Sequence, residues 1–132
     1  MTSERLPINQ FPGYLGIESV SYEDGRVTAE LPLRAELFAP NGYVHAAAVV
    51  GLADTLCGYG CLVSLPEGAT GFTTIELKTN FLGTARDGKL VGTAVPVHRG
   101  RSTQLWDATV TSDDGRTLAV FRCTQLVLWP RG

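Results

Sequence analysis

The sequence predicts an α+β fold: a curved antiparallel sheet of five to six strands wrapped around one long central helix. Three observations predict it. Residues 46–65 are apolar nearly all round, which a helix tolerates only when it is covered on most sides. Runs that alternate apolar and polar residues lie on both sides of that stretch, the period of half-buried strands. Asp24-Gly25, Asp87-Gly88 and Asp114-Gly115 each stand between two such runs, where Asp-Gly makes tight hairpin turns. A chain of 132 residues fits one domain, 1–132, with a lead-in over 1–13.

Taken in order, the lead-in carries a short helical turn near residues 8–11, and the first strand is expected over 15–22. After Asp24-Gly25, residues 26–33 place Val27, Ala29 and Leu31 on one face and Arg26, Thr28 and Glu30 on the other. Asn41-Gly42 turns the chain into the helix, and Pro66 ends it. Gly51, Gly58 and Gly60 are poor helix formers, so they mark places where something packs closely against the backbone. Four strands are expected to follow as a meander, over 72–83, 89–99, 102–112 and 117–128. Pro96 predicts an edge or a bulge in the second of them.

Composition narrows the function. The chain is 44% hydrophobic and 18% charged, too apolar for disorder. A net charge of −2 with no basic run gives no footprint for nucleic acid. Gly51, Asp54, Gly58 and Gly60 interrupt the longest apolar run, so no membrane span is expected. The start, MTSERLPINQ, lacks the apolar segment of an export signal, and a cytoplasmic address is the expectation. Three cysteines, Cys57, Cys61 and Cys123, are an odd count for a disulfide framework. With two histidines in the chain, no metal site is expected, and the thiols read as small buried hydrophobes.

One charge stands out. Between His45 and Glu67 the only charged residue is Asp54. An ionised carboxylate in apolar surroundings is costly unless paired, hydrogen-bonded or neutralised. Taken alone, such a residue more often bonds a buried partner than performs chemistry.

The motif around it changes that weighing. Gly42-Tyr43-Val44-His45-Ala46-Ala47, followed by Leu52-Ala53-Asp54, resembles the signature of hotdog-fold acyl-CoA thioesterases, closest to the phenylacetate-pathway (PaaI-like) branch. That family shows Gly-x-Val-His-Gly-Gly before the helix and Leu-Ala-Asp within it. The resemblance runs on through residues 74–82 and the glycine-basic turn Arg99-Gly100-Arg101-Ser102, and covers roughly 14–128. It implies thioester hydrolysis with no metal and no cofactor beyond the coenzyme A of the substrate. Two departures stand: Ala46-Ala47 replaces the glycine pair, and the asparagine found six residues before the histidine in many relatives is Ala39 here, with Asn41 two residues later.

The chemistry can be assigned group by group. A helix N-terminus offers free N–H groups and a positive dipole end, so Ala46 and Ala47 would stabilise the oxyanion. Asp54 would act as nucleophile or as general base toward water. His45 is expected to orient the oxyanion turn. The resemblance aligns Thr74 with a hydroxyl that in some relatives holds the water or the carboxylate; an ordinary strand threonine is the competing reading. Asn41, Arg99, Gly100, Arg101 and Ser102 are the candidates for binding coenzyme A, since arginine suits phosphate; ordinary solvated turn charges are the competing reading for the arginines.

Geometry adds an expectation of assembly. Ala46 and Asp54 are eight residues apart, which is about 12 Å along a helix, too far for one carbonyl to meet both. A homodimer with shared sites follows, and the resemblance extends it to a dimer of dimers, a homotetramer. Two other readings use the same fold: a hydratase or dehydratase of acyl thioesters, and a non-catalytic acyl-CoA binding module.

Overall fold

The computed structural model describes residues 4, 5 and 8–131; residues 1–3, 6 and 7 of the expected lead-in lie outside the described residues. The elements are β1 (Glu4–Arg5), α1 (Gln10–Leu15), β2 (Glu18–Glu23), β3 (Arg26–Pro32), a 3-10 turn (Ala35–Leu37), α2 (Ala46–Val63), β4 (Gly71–Phe81), β5 (Lys89–Arg99), β6 (Thr103–Ser112) and β7 (Thr117–Leu128). All strand pairs are antiparallel, in the order β1-β2-β3-β5-β6-β7-β4. Six full strands and the two-residue β1 make one sheet with α2 laid across it, the expected architecture.

Two expectations need correction. Leu15 ends a helix instead of starting a strand: Gly16, left-handed at φ 94°, caps α1 with its N–H on Gly13 C=O, and Arg34 donates hydrogen bonds to the C=O groups of Tyr14 and Leu15. The four late strands are not one meander. β5, β6 and β7 form it, whereas β4 crosses to the far edge and pairs with β7, from Gly71 opposite Leu128 to Phe81 opposite Ala119. Asp87-Gly88 therefore leads into the centre of the sheet, where β5 pairs with β3. The turn chemistry is local and satisfied there: Asp113 accepts the Lys89 N–H at 3.1 Å, and Gly88 C=O accepts the Leu33 N–H at 2.9 Å. Asp24-Gly25 is a true two-residue hairpin turn, with φ of 57° and 75° at its two residues.

Helix α2 owes its position to its small residues. A Cβ on Gly60 would lie 2.3 Å from the Trp106 ring, on Gly51 2.7 Å from Leu15 and on Gly58 3.2 Å from Phe72. These contacts let α2 sink onto β6, α1 and β4. Its inward face, Ala48, Val49, Leu52, Ala53, Leu56, Cys57, Gly60 and Cys61, is buried. The three cysteines are free and buried, as small hydrophobes should be. By length and a mean hydropathy of 1.6, α2 would pass for a membrane span despite its glycines and Asp54, contrary to the expectation from sequence; its packing on the sheet accounts for that apolarity.

Among the described residues the sheet has four register shifts, and two of them fall in β5 and β4. Val97, beside Pro96, interrupts the β5–β6 register, the irregularity that the proline predicts. In β4 the register moves by one between Thr74 and Glu76, leaving Ile75 as an extra residue. Because of it, Thr74 shares the helix-side face with buried Gln125, while Leu77 and Thr79 keep that face further along, opposite buried Cys123 and Phe121.

Candidate active site

The start of α2 is built by its approach. Val44 N–H donates to Ala85 C=O at 2.9 Å and His45 N–H to Leu37 C=O at 2.8 Å, which fixes the turn. His45 is the N-cap, extended at φ −69° and ψ 139°, and its Nδ1 accepts the Ala47 N–H at 2.9 Å. Ala47's donor is therefore engaged, while the Ala46 N–H has no acceptor among the described residues. His45 and Ala47 border a cleft of about 250 Å³ shared with Phe11, Leu15 and Phe38.

Two turns further along α2 lies Asp54. It lines a cavity of about 230 Å³ with Pro12, Thr55, Gly58, Phe72 and Thr74. The walls come from three elements: α1, held by Arg34, supplies Pro12; α2 supplies Asp54; β4 supplies Phe72 and Thr74. Asp54 Oδ1 is buried with no hydrogen-bond partner among the described residues. Burial pushes its carboxyl above the ordinary aspartate value. A poised, under-solvated carboxylate in a cleft is what proton transfer or nucleophilic attack requires. Behind it the chemistry is quiet: the hydrogen bond with Cys123, then burial, pushes the Cys57 thiol far up, and burial raises Cys61 to about 11, so both stay protonated.

Thr74 donates its hydroxyl proton to Gln125 Oε1 at 2.7 Å. Gln125 is fully buried and donates in turn to Cys123 Sγ at 3.4 Å. Among the candidates, the structure thus brings Asp54 and Thr74 to one cavity and leaves His45 and Ala47 at another.

The remaining candidates lie apart from both. Asn41 Oδ1 accepts the Tyr43 N–H at 3.1 Å, closing a local turn before α2. Arg99 to Ser102 form the β5–β6 turn. Gly100 N–H donates to Thr103 C=O at 2.9 Å, and the Arg101 guanidinium stacks 4.0 Å from the centre of the Trp129 ring. Trp129 Nε1–H donates to Arg101 C=O at 3.0 Å and Ser102 C=O accepts the Val127 N–H at 2.9 Å, so the turn is braced against the end of β7. A depression of about 340 Å³ on the outer face of the sheet, beside Lys78 and Asn80, has its Asp107 and Arg122 already paired at 2.6 and 2.8 Å.

Sequence reasoning missed Pro12, Gly58, Phe72 and Gln125 as site residues. For Gln125 the signal was present: it falls in phase with Phe121, Cys123 and Val127, a polar residue on the buried face of a strand. For Pro12 there was none, because its place depends on how α1 docks.

Known proteins with this fold now bear on the site. Residues 41–119 match the model of the thioesterase superfamily, a span that contains every site residue expected from the sequence, from Asn41 to Ser102. A 1,4-dihydroxy-2-naphthoyl-CoA hydrolase of Listeria monocytogenes is 32% identical over 110 residues, covering 83% of this chain and 89% of that protein. A mutant of the thioesterase PA1618 of Pseudomonas aeruginosa superposes with a TM-score of 0.86 at 29% identity, covering 91% of this chain and 86% of the other. The PaaI protein of Escherichia coli shares the fold at a TM-score of 0.80 and 23% identity, over 88% and 82% of the two chains. Matched over more than half its length, this chain belongs to the thioesterase superfamily and is a hotdog-fold thioester hydrolase.

Proposed function

We propose that the protein hydrolyses a small aryl- or acyl-CoA thioester to the free acid and coenzyme A, with Asp54 as the catalytic carboxylate. The observation that carries this reading is Asp54 Oδ1, buried without a partner among the described residues at the wall of an apolar cavity. About 230 Å³ beside Phe72 suits a ring or a short chain, and the Listeria relative's name specifies a bicyclic aryl-CoA. The Ala46 N–H, at the positive end of the helix, polarises the thioester carbonyl. His45 orients that turn through its bond to Ala47. Arg99 and Arg101, in the β5–β6 turn, receive the coenzyme A phosphates, with Gly100 and Ser102 shaping the turn and Asn41 shaping the entry to α2.

The oxyanion donor comes from a second copy of the chain, since about 12 Å of helix separates Ala46 from Asp54. Exposed apolar side chains support that assembly: Leu62 of α2 and Ile75, Leu77, Phe81 and Leu82 along edge strand β4 and its end are 44–63% exposed in the single chain. Two such dimers paired through the outer sheet face, where Val97, Val120, Leu126 and Leu128 are exposed, give the tetramer.

Free-thiol release from a panel of acyl-CoA esters, run on wild type and Asp54→Asn, tests the reading. Turnover that collapses in the variant, with the sedimentation coefficient unchanged, is the expected result. Equal rates in both proteins would return Asp54 to a structural role, and coenzyme A binding without turnover would make the chain a binding module.

A further inference from the structure

Thr74 and Gln125 sit directly opposite each other on β4 and β7. A threonine hydroxyl has one proton and two lone pairs, and a glutamine Oε1 can only accept. The 2.7 Å bond between them therefore commits the Thr74 proton to Gln125. What Thr74 turns toward the Asp54 cavity is an acceptor. It cannot donate to the Asp54 carboxylate, and Asp54 Oδ1 has no partner among the described residues. Two acceptors facing one small cavity are matched by a molecule with two donors, which is water.

We infer that Gln125 is a positioning residue: by holding the Thr74 proton, it makes Thr74 and Asp54 a pair of acceptors that orient the hydrolytic water. The inference rests on the thioesterase reading of the site. The water gives one hydrogen to Thr74 Oγ1 and the other to Asp54, and one of its two lone pairs points at the thioester carbon. Attack forms the C–O bond as the proton moves to Asp54, and the C–S bond then breaks with return of that proton to the thiolate of coenzyme A. Without Gln125 the hydroxyl is free to rotate and donate to Asp54 or to the water's lone pair, which weakens the base or masks the nucleophile. Gln125 is placed for this task by burial (it is fully buried) and by the Ile75 bulge, which brings Thr74 into register with it.

The test is a double-variant cycle on the full-length protein, with Thr74→Val and Gln125→Met singly and together, against the thioester that wild type turns over best. Gln125→Met keeps the volume and removes the acceptor. The expected result is a fall in kcat of roughly 10- to 100-fold with KM little changed, and no further fall when Gln125→Met is added to Thr74→Val. Gln125→Glu restores an acceptor oxygen and is expected to keep kcat within a few-fold of wild type, which holds the test open if Gln125→Met does not fold. Gln104→Met serves as control. Gln104 is equally buried and bonded to Trp106 and Ser64, so its loss should lower the melting temperature without the kcat effect. A kcat unchanged in Gln125→Met, costs that add in the double variant, or a collapse in Gln125→Glu equal to that of Thr74→Val would overturn the inference while Asp54→Asn remains inactive. Absence of turnover in wild type would remove the thioesterase reading and this inference together.

Discussion

His45 Nδ1 accepts the amide proton of Ala47 at 2.9 Å, so the first amide of α2 left without an acceptor among the described residues is that of Ala46. The N-cap histidine thereby reduces a helix start with several donors to one that points outward. Replacement of the usual glycine pair by Ala46-Ala47 leaves this donor in place, since the methyl groups are on Cα and the hydrogen is on nitrogen.

Ala46→Pro removes that hydrogen and little else. Ala46 is the first helical residue, where proline is tolerated, and His45 already has the extended backbone that a following proline demands. We expect a normal circular dichroism spectrum and a kcat lowered about 100-fold. A kcat near wild type would move the oxyanion site elsewhere.

Sharing of sites between subunits can be counted. Asp54→Asn and Ala46→Pro are each expected to be nearly inactive alone. Refolded together in equal amounts, they should recover about one quarter of wild-type activity, because one site in four then combines the intact Asp54 of one chain with the intact Ala46 of another. Sites built within one chain would recover nothing.

Asp54 also links activity and stability to pH. Its carboxyl titrates above 3.8 in the folded protein because of burial, and near 3.8 when unfolded. Below 3.8 it is protonated in both states and costs nothing. As pH rises through the folded value, the protein must ionise a buried group and loses stability. Asp54→Asn is therefore expected to raise the melting temperature at pH 7, with the gain vanishing below pH 3.8. The acid limb of kcat/KM should fall above the ordinary aspartate value.

The oriented-water geometry makes an isotopic prediction. In a single turnover in water enriched in oxygen-18, label should enter the carboxylic acid product and never the Asp54 side chain. A labelled Asp54, read by mass spectrometry of the peptide, would mean that it attacked the thioester itself and that water later opened the anhydride at the aspartyl carbon.

Packing offers a prediction away from the chemistry. A methyl group on Gly60 would stand 2.3 Å from the ring of fully buried Trp106. Gly60→Ala should cost about 1–3 kcal/mol in denaturant unfolding and lower the melting temperature by the order of 5 °C. Gly71→Ala, where the added methyl would meet nothing within 4 Å, is its control.

Much of the helix and several strand ends are legible in the residues themselves. The ends of β5 and β7 fall where alternation places them, and α2 ends two residues before its expected limit, because periodicity and turn residues are local properties. Asp54 is visible as a lone charge in an apolar helix. What is not legible depends on partners distant in the chain. Asp87-Gly88 has the chemistry of a hairpin turn and is not one, since the partner of β4 is chosen by the whole sheet. Thr74 faces the cavity only because Ile75 is a bulge, and nothing in the residues around it announces one. Leu15 is a partial case: Gly16 beside it is a local helix stop, while the arginine that takes up its carbonyl lies nineteen residues later.

The placement of β4 sets a timetable. Its ladder is made with β7, so the segment at residues 71–81 finds its neighbour only when residues 117–128 are present. During synthesis from the N-terminus, about forty residues must follow before that edge closes. Until then Ile75, Leu77 and Phe81 ride on an unpaired strand, free to meet the same segment of another nascent chain. The strand that finishes the sheet is thus the last to be secured, and a chain cut short before Thr117 would carry α2 with one flank of its cradle missing.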